Sequence, residues 1–249
     1  MKQLTLIAIF AFVTLASVRM LEVSISLEDV GNASRFLKRW FPPNWTIAGS
    51  MFYQGLLTLA TAYLGTTFAI IAALPLSLLA SRKTSLSWCP VPVVRSLISG
   101  FRSVPDIVIG LVALTVVGPG PTAAIIALTV HNCGVIAKLL SERIDESPPG
   151  PYEALQTLGV PKLHSIIFAL LPDLSAAIAS QYFYRFEVSI RSSLALGFIG
   201  SGGIGQQLLN HFRTFDYPSV LMDLIVIILL VIVVDLFSAN VQRRIGHQA

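Results

Sequence analysis

Between Met51 and Ala80 the chain runs for 30 residues without an acidic or basic side chain. A helix needs roughly 20 mostly apolar residues to cross a bilayer, so this run can span one with a tilt or project beyond it. Further apolar runs follow, and 54% of the 249 residues are hydrophobic against 12% charged. That balance excludes a soluble globular domain and predicts an all-α, polytopic transmembrane bundle.

The apolar runs predict about six spans, at 4–18, 51–80, 104–117, 122–140, 165–184 and 220–237. Basic residues follow several of them: Arg82 and Lys83, Lys138 and Arg143, then Arg243 and Arg244. The positive-inside rule favours those ends in the cytoplasm, and six spans with both termini there fit them; the bias is modest, since Arg35, Lys38 and Arg39 fall on the outer side. Lys2 and Arg19 flank the first run, which reads as an uncleaved span; a signal peptide cut near 14–16 is the alternative. Residues 1–50 then form an N-terminal span with an external segment, and 51–249 a transmembrane domain.

A net charge of +4 fits lysines and arginines retained at the cytoplasmic face, and no basic run with interleaved aromatics points to nucleic acid. Cys89 and Cys133 have no metal-ligand spacing. Thr58, Thr61, Gly65, Thr66 and Thr67 are small residues of the kind found where spans pack closely. Arg102 and Asp106, four apart, can pair on one helix face. His131 and Asn132 are polar inside a span, where an ionisable side chain is a functional candidate. A neutral imidazole bonded to a neighbouring helix is the simpler account of His131.

Two polar stretches carry the functional expectation. In the first, Ser147 to Pro151 is a stiff lead-in, because proline lacks the amide hydrogen and restricts its predecessor. Residues 151–158 then read as about two turns of helix, with proline first and Glu153 in the turn the dipole favours. Gly159 and Pro161 stop it. Leu171 and Pro172 open the next span, where the proline should bend the helix, and Asp173 follows. Glu153, Ala154, Gly159, Leu171 and Pro172 stand at the spacing that resembles the EAA signature of ABC importer permeases, with Leu155 replacing the second alanine. The resemblance implies a cytoplasmic helix that docks into a groove on an ATPase subunit. From spacing alone, an amphipathic helix lying on the headgroups is the alternative.

In the second stretch Glu187 and Arg191 are four apart and can neutralise each other, while Arg185, Ser189, Ser192 and Ser193 form a stripe at helical spacing. An arginine among hydroxyls suits an oxyanion, because its planar donors match phosphate-like oxygens; ion pairing that only holds helices together is the alternative. Gly197, Gly200, Gly202, Gly203 and Gly205, with Ser201 among them, predict a broken or re-entrant segment over 196–207 that lines the path; close helix packing is the alternative. No lysine follows these glycines as in a nucleotide-binding loop, and no Gly-x-Ser-x-Gly or His-Glu-x-x-His occurs.

The stretches RFEVSIRSSLALGFIGSGGIG and HNCGVIAKLLSE are similar to the corresponding parts of phosphonate ABC transporter permeases. Together with the EAA spacing the likeness covers most of the chain from about Met51. It implies a permease of the methionine-importer-like type, a homodimer in lipid, a separate ATPase and an extracytoplasmic binding protein. The expected function is import of phosphonate or a related oxyanion (phosphate, phosphite), with no cofactor bound and no chemistry performed by this chain. On this reading Glu153 to Gly159 receive the ATPase stroke, and Arg185 and Arg191 attract the anion. An ion-coupled transporter is the rival, with Asp173 and Asp235 its only plausible starting points.

Overall fold

The computed structural model describes residues 2–20, 27–85, 90–148 and 150–246; Cys89 and Pro149 lie outside the described residues. All regular structure among them is helical, and they divide into two compact units, one up to Pro42 and one from Pro43 onward. The first unit holds α1 (Lys2–Met20) and α2 (Leu27–Lys38). Arg35 and Lys38 close α2, where cations suit the negative end of the helix dipole.

The second unit opens on a single 3-10 turn, Trp45–Ile47, capped by the Asn44 side chain. It leads into α3 (Ala48–Ala80), whose buried stripe is made of small residues: Ala62, Ala69, Ala73 and Ala80 are fully covered. α6 (Pro121–Glu146) lies along that stripe. A methyl group on Gly65 would sit 2.7 Å from Leu128 Cβ, so the two backbones meet closer than any other residue allows. Thr58, Thr61 and Thr66 are buried beside it, as expected of spans that pack through small side chains.

Between α3 and α6 come α4 (Val91–Ser103) and α5 (Asp106–Val117), bent by 86°. Pro105 causes the break: it pushes Val104 to φ −88°, ψ 125°, outside the helical region. This corrects two expectations. Arg102 and Asp106 stand on different helices and do not pair; Asp106 instead accepts the amide of Ile107 at 2.9 Å. And α5 has 12 residues, about 18 Å of helix, against roughly 30 Å of hydrocarbon.

Among the described residues four helical stretches are long and apolar enough to cross a membrane: Trp45–Ala80, Pro121–Glu146, Lys162–Ser201 and Tyr217–Arg244. A fifth is added if the bent α4–α5 pair counts as one span, against the six expected. α1 has 19 residues, about 28 Å of helix, with Lys2 and Arg19 near its ends. The chain is a multi-spanning, all-α membrane protein.

The third long stretch is composite. α8 (Lys162–Ser165) passes through a π segment, Ile166–Leu170, into α9 (Leu171–Leu196), and a second π segment, Gly197–Ser201, ends it. The expected span 165–184 is therefore only part of a 40-residue run. The helix continues past Tyr184 because the charged residues that follow find partners beside it. α10 (Gly203–Arg213) and α11 (Tyr217–Gly246) complete the bundle, joined by His211 Nδ1 at 2.7 Å from the buried Asp223 Oδ2.

Candidate functional site

At one end of the bundle a short helix, α7 (Pro151–Thr157), links α6 to α8. Both of its ends are closed. The Glu153 carboxylate accepts the Gly150 amide at 3.0 Å, reaching back across the first turn. At the other end Gly159 takes φ +76°, its amide donating to Gln156 O and that of Val160 to Leu155 O, both at 3.1 Å. These are the two bonds of a glycine-terminated helix, and only a residue tolerant of positive φ can make them.

α7 is also clamped to the bundle. Tyr152 is buried with Ile144, Ile166 and Leu170, against which Leu155 and Leu171 pack, and its hydroxyl donates to Lys83 O at 3.3 Å. Lys83 Nζ lies 3.2 Å from Glu153 Oε1 and donates to Ser147 O at 2.5 Å. Lys162 Nζ donates to Ser85 O at 2.5 Å. Beside this, Arg95 and Asp145 pair at 2.6 Å, and Asp145 accepts Ser81 Oγ at 2.6 Å and the Arg82 amide at 2.9 Å. The Glu153 carboxyl is held below its ordinary range, first by the Gly150 amide, then by its own amide and by Lys83. The outward side presents Ala154, Leu158 at 77% exposure and Gly159.

Glu153, Ala154 and Gly159 thus share one short rigid element. Leu171 and Pro172 begin α9 after a turn in which the Leu171 amide reaches back to Ile166 O. That wider turn precedes a proline with no amide of its own to give. Pro172 and Asp173 are exposed. Tyr152, the anchor of α7, carried no sequence signal beyond an aromatic ring in a polar stretch.

Mid-bundle, the second stretch divides. Arg185 is buried, at 8% exposure, and its Nε donates to Asn132 Oδ1 at 3.0 Å; Nη2 donates to the same oxygen. Asn132 Nδ2 donates to Ser189 Oγ at 2.8 Å, and Thr66 donates to that hydroxyl at 2.9 Å. Arg191 instead meets carboxylates, Glu187 at 2.8 Å and Asp235 of α11 at 3.8 Å. Ser193 is buried and Ser192 half-buried on the same helix. His131 Nδ1 lies 3.1 Å from Val104 O, a bond to the neighbouring helix end.

Beyond α9 the backbone breaks. Gly200, Gly202 and Gly203 have φ of +104°, +87° and +73°. The turn is tied down: Ser201 Oγ donates to Leu196 O at 2.7 Å, the Gly120 amide to Gly200 O at 3.2 Å, and the Ile204 amide to Thr58 Oγ1 at 3.1 Å. α10 then folds back on the end of α9 so closely that a Cβ on Gly205 would lie 2.2 Å from Leu194 O.

This arrangement holds no cluster of metal-ligating side chains among the described residues; it offers a clamped helix at one end and a buried cation in the middle. The chain is 30% identical to the phosphite transport system permease protein PtxC of Stutzerimonas stutzeri, over 98% of this chain and 90% of that protein. It is also 30% identical to the phosphate-import permease protein PhnE of Mycolicibacterium smegmatis, over 87% of this chain but only 41% of that protein's length. The fold matches an inward-facing structure of the MetNI methionine ABC transporter with a TM-score of 0.71 at 21% identity, covering 81% of this chain and 99% of that one, a likeness that shows the fold alone. Residues 65–247 match the family of binding-protein-dependent transport system inner membrane components, and the chain belongs to it, as a transporter's membrane subunit without a catalytic site of its own.

Proposed function

We propose that this chain is the permease of an ATP-driven importer for a phosphorus oxyanion: phosphonate, phosphate or phosphite. The observation that carries the reading is α7, closed at both ends, anchored by Tyr152 and Lys83, and presenting Leu158 and Ala154 outward. A rigid element of this kind passes force as a body. An ATPase subunit grips it, and Glu153, Ala154 and Gly159 receive the stroke. Leu171 and Pro172 hand it to α9, which carries Arg185.

The phosphite and phosphate permeases among its relatives support the substrate class, and so does the buried guanidinium. Ser192, Ser193 and Ser201 lie along the path, and the break at Gly200, Gly202, Gly203 and Gly205 forms the gate. Glu187 and Arg191 neutralise each other beside it. Two copies pair in the membrane with both termini cytoplasmic, and an extracytoplasmic binding protein delivers the anion to the opposite face.

The test places a photo-crosslinking residue at Leu158 in cells that import labelled phosphate, phosphite or methylphosphonate. The expected result is a cross-link to an ATPase subunit and uptake that stops when that ATPase is inactivated. Uptake that survives its loss and collapses with the ion gradient sinks the reading in favour of an ion-coupled transporter.

A further inference from the structure

Arg185 is the buried arginine among the described residues, and no carboxylate of those residues stands within 4.0 Å of it. Arg95 and Arg191 have acids against them, and both are more exposed. Asp106 acts on Arg185 only through space. A lone cation inside a membrane bundle is strongly unfavourable unless something supplies the opposite charge.

We infer that Asn132 is a positioning residue for the anion: it braces the Arg185 guanidinium with a neutral oxygen and leaves the positive charge for a tetrahedral oxyanion. The inference rests on the import reading above and adds a second residue to that site. The amide orientation is set by its neighbours. Ser189 Oγ donates its own proton to Arg185 O at 2.7 Å and accepts from both Asn132 Nδ2 and Thr66. Turning the amide over would face two donors toward the guanidinium.

A guanidinium has five N–H donors in a planar fork. Two go to Asn132 Oδ1. Nη1 makes no hydrogen bond to the described residues, and it is not among the polar atoms sealed from solvent without a partner. An aspartate at 132 would have the same shape, would accept the same two bonds from Arg185 and would cancel the charge, giving up only the donation to Ser189 Oγ. The chain has the amide instead.

That contrast is the experiment. In cells carrying the complete transporter, uptake of labelled phosphate, phosphite, methylphosphonate and sulfate is measured for Asn132→Asp, with membrane abundance monitored. The carboxylate set against Arg185 repels the arriving anion, so uptake falls about tenfold or more at unchanged abundance. A purely structural brace predicts uptake near wild type, because aspartate keeps the shape and the acceptor toward Arg185, and the Ser189 hydroxyl can turn its proton from Arg185 O to the new carboxylate oxygen; that result overturns the inference. Asn132→Ser, which shortens the brace without adding charge, is expected to raise the apparent KM several-fold and leave the maximal rate in place.

If Asn132→Asp does not reach the membrane, Arg185→Gln replaces it, keeping a polar side chain beside Asn132 without the charge. Wild-type uptake by that variant also overturns the inference. If the wild type carries sulfate and none of the phosphorus anions, and Asn132→Asp stops it, the inference stands while the phosphorus reading fails. Import confined to a cationic or uncharged solute sinks both.

Discussion

Lys83, three residues beyond the end of α3, places its ammonium 3.2 Å from Glu153 Oε1, while Oε2 of the same carboxylate accepts the Gly150 amide at 3.0 Å. One side chain therefore caps α7 and ties it to the end of another helix. Because the carboxyl is held below its ordinary range, first by the Gly150 amide, with its own amide and Lys83 adding to the effect, the ionised form favours this arrangement. A depressed acid stabilises above its unperturbed pKa and loses that effect as pH falls through the lower, folded value.

Hydrogen exchange of the α7 amides, corrected for the intrinsic rate, should stay flat from neutral pH down to about 4.3 and rise only below it. In Glu153→Gln that acid step should vanish. A step near neutral pH in the wild type would contradict the cap.

Gly159 offers a second handle on the same helix. Nothing lies within 4 Å of a Cβ built there, so a substitution acts through the backbone alone. Alanine at φ +76° costs about 1 kcal/mol, a cost the clamps on Tyr152 and Lys83 can absorb. Proline cannot adopt that φ and deletes the amide that Gln156 O accepts. Gly159→Pro, alone or with Glu153→Ala, should uncouple ATP hydrolysis from uptake in vesicles while Gly159→Ala stays coupled. Equal uptake by the two would count against a lever role for α7.

The glycines after α9 differ in what they permit. Gly205→Ala drives a methyl into the Leu194 carbonyl, backbone on both sides, with nothing flexible to give way. A loss of about 3 kcal/mol or failure to accumulate is expected. Gly200→Ala meets no atom within 4 Å and carries only the strain of φ +104°, about 1–2 kcal/mol. Thermal unfolding in detergent should rank Gly205→Ala well below Gly200→Ala; equal midpoints would mean that α10 does not pack on α9 as described.

These contrasts show where sequence is informative. The limits of α7 were readable, since a proline start, an acid in the first turn and a glycine stop act locally. So were the long apolar runs. The bend at Val104 is hidden by the good helical spacing of Arg102 and Asp106, a pattern blind to what Pro105 does to its predecessor. The third long stretch outruns its apolar core for a related reason. Charge at Arg185 to Arg191 looks like the end of a span unless Asn132, 53 residues earlier, and Asp235 on α11 are known to face it. Pairing across helices leaves no local mark.

Arg191 tests that pairing directly. Glu187 precedes it by four residues, the favourable order on a helix, and Asp235 stands across on α11. Removing Arg191 alone leaves the two acids without their shared cation, whereas removing Glu187 with it leaves only Asp235. The single variant Arg191→Ala should therefore be less stable than Glu187→Ala/Arg191→Ala, a non-additivity of about 1 kcal/mol visible in thermal unfolding. On the reading that the pair only braces α9 against α11, uptake by the double variant stays near wild type. Loss of uptake as complete as that of Arg185→Ala would move Arg191 into the anion path and make its carboxylate partners a gate rather than a brace.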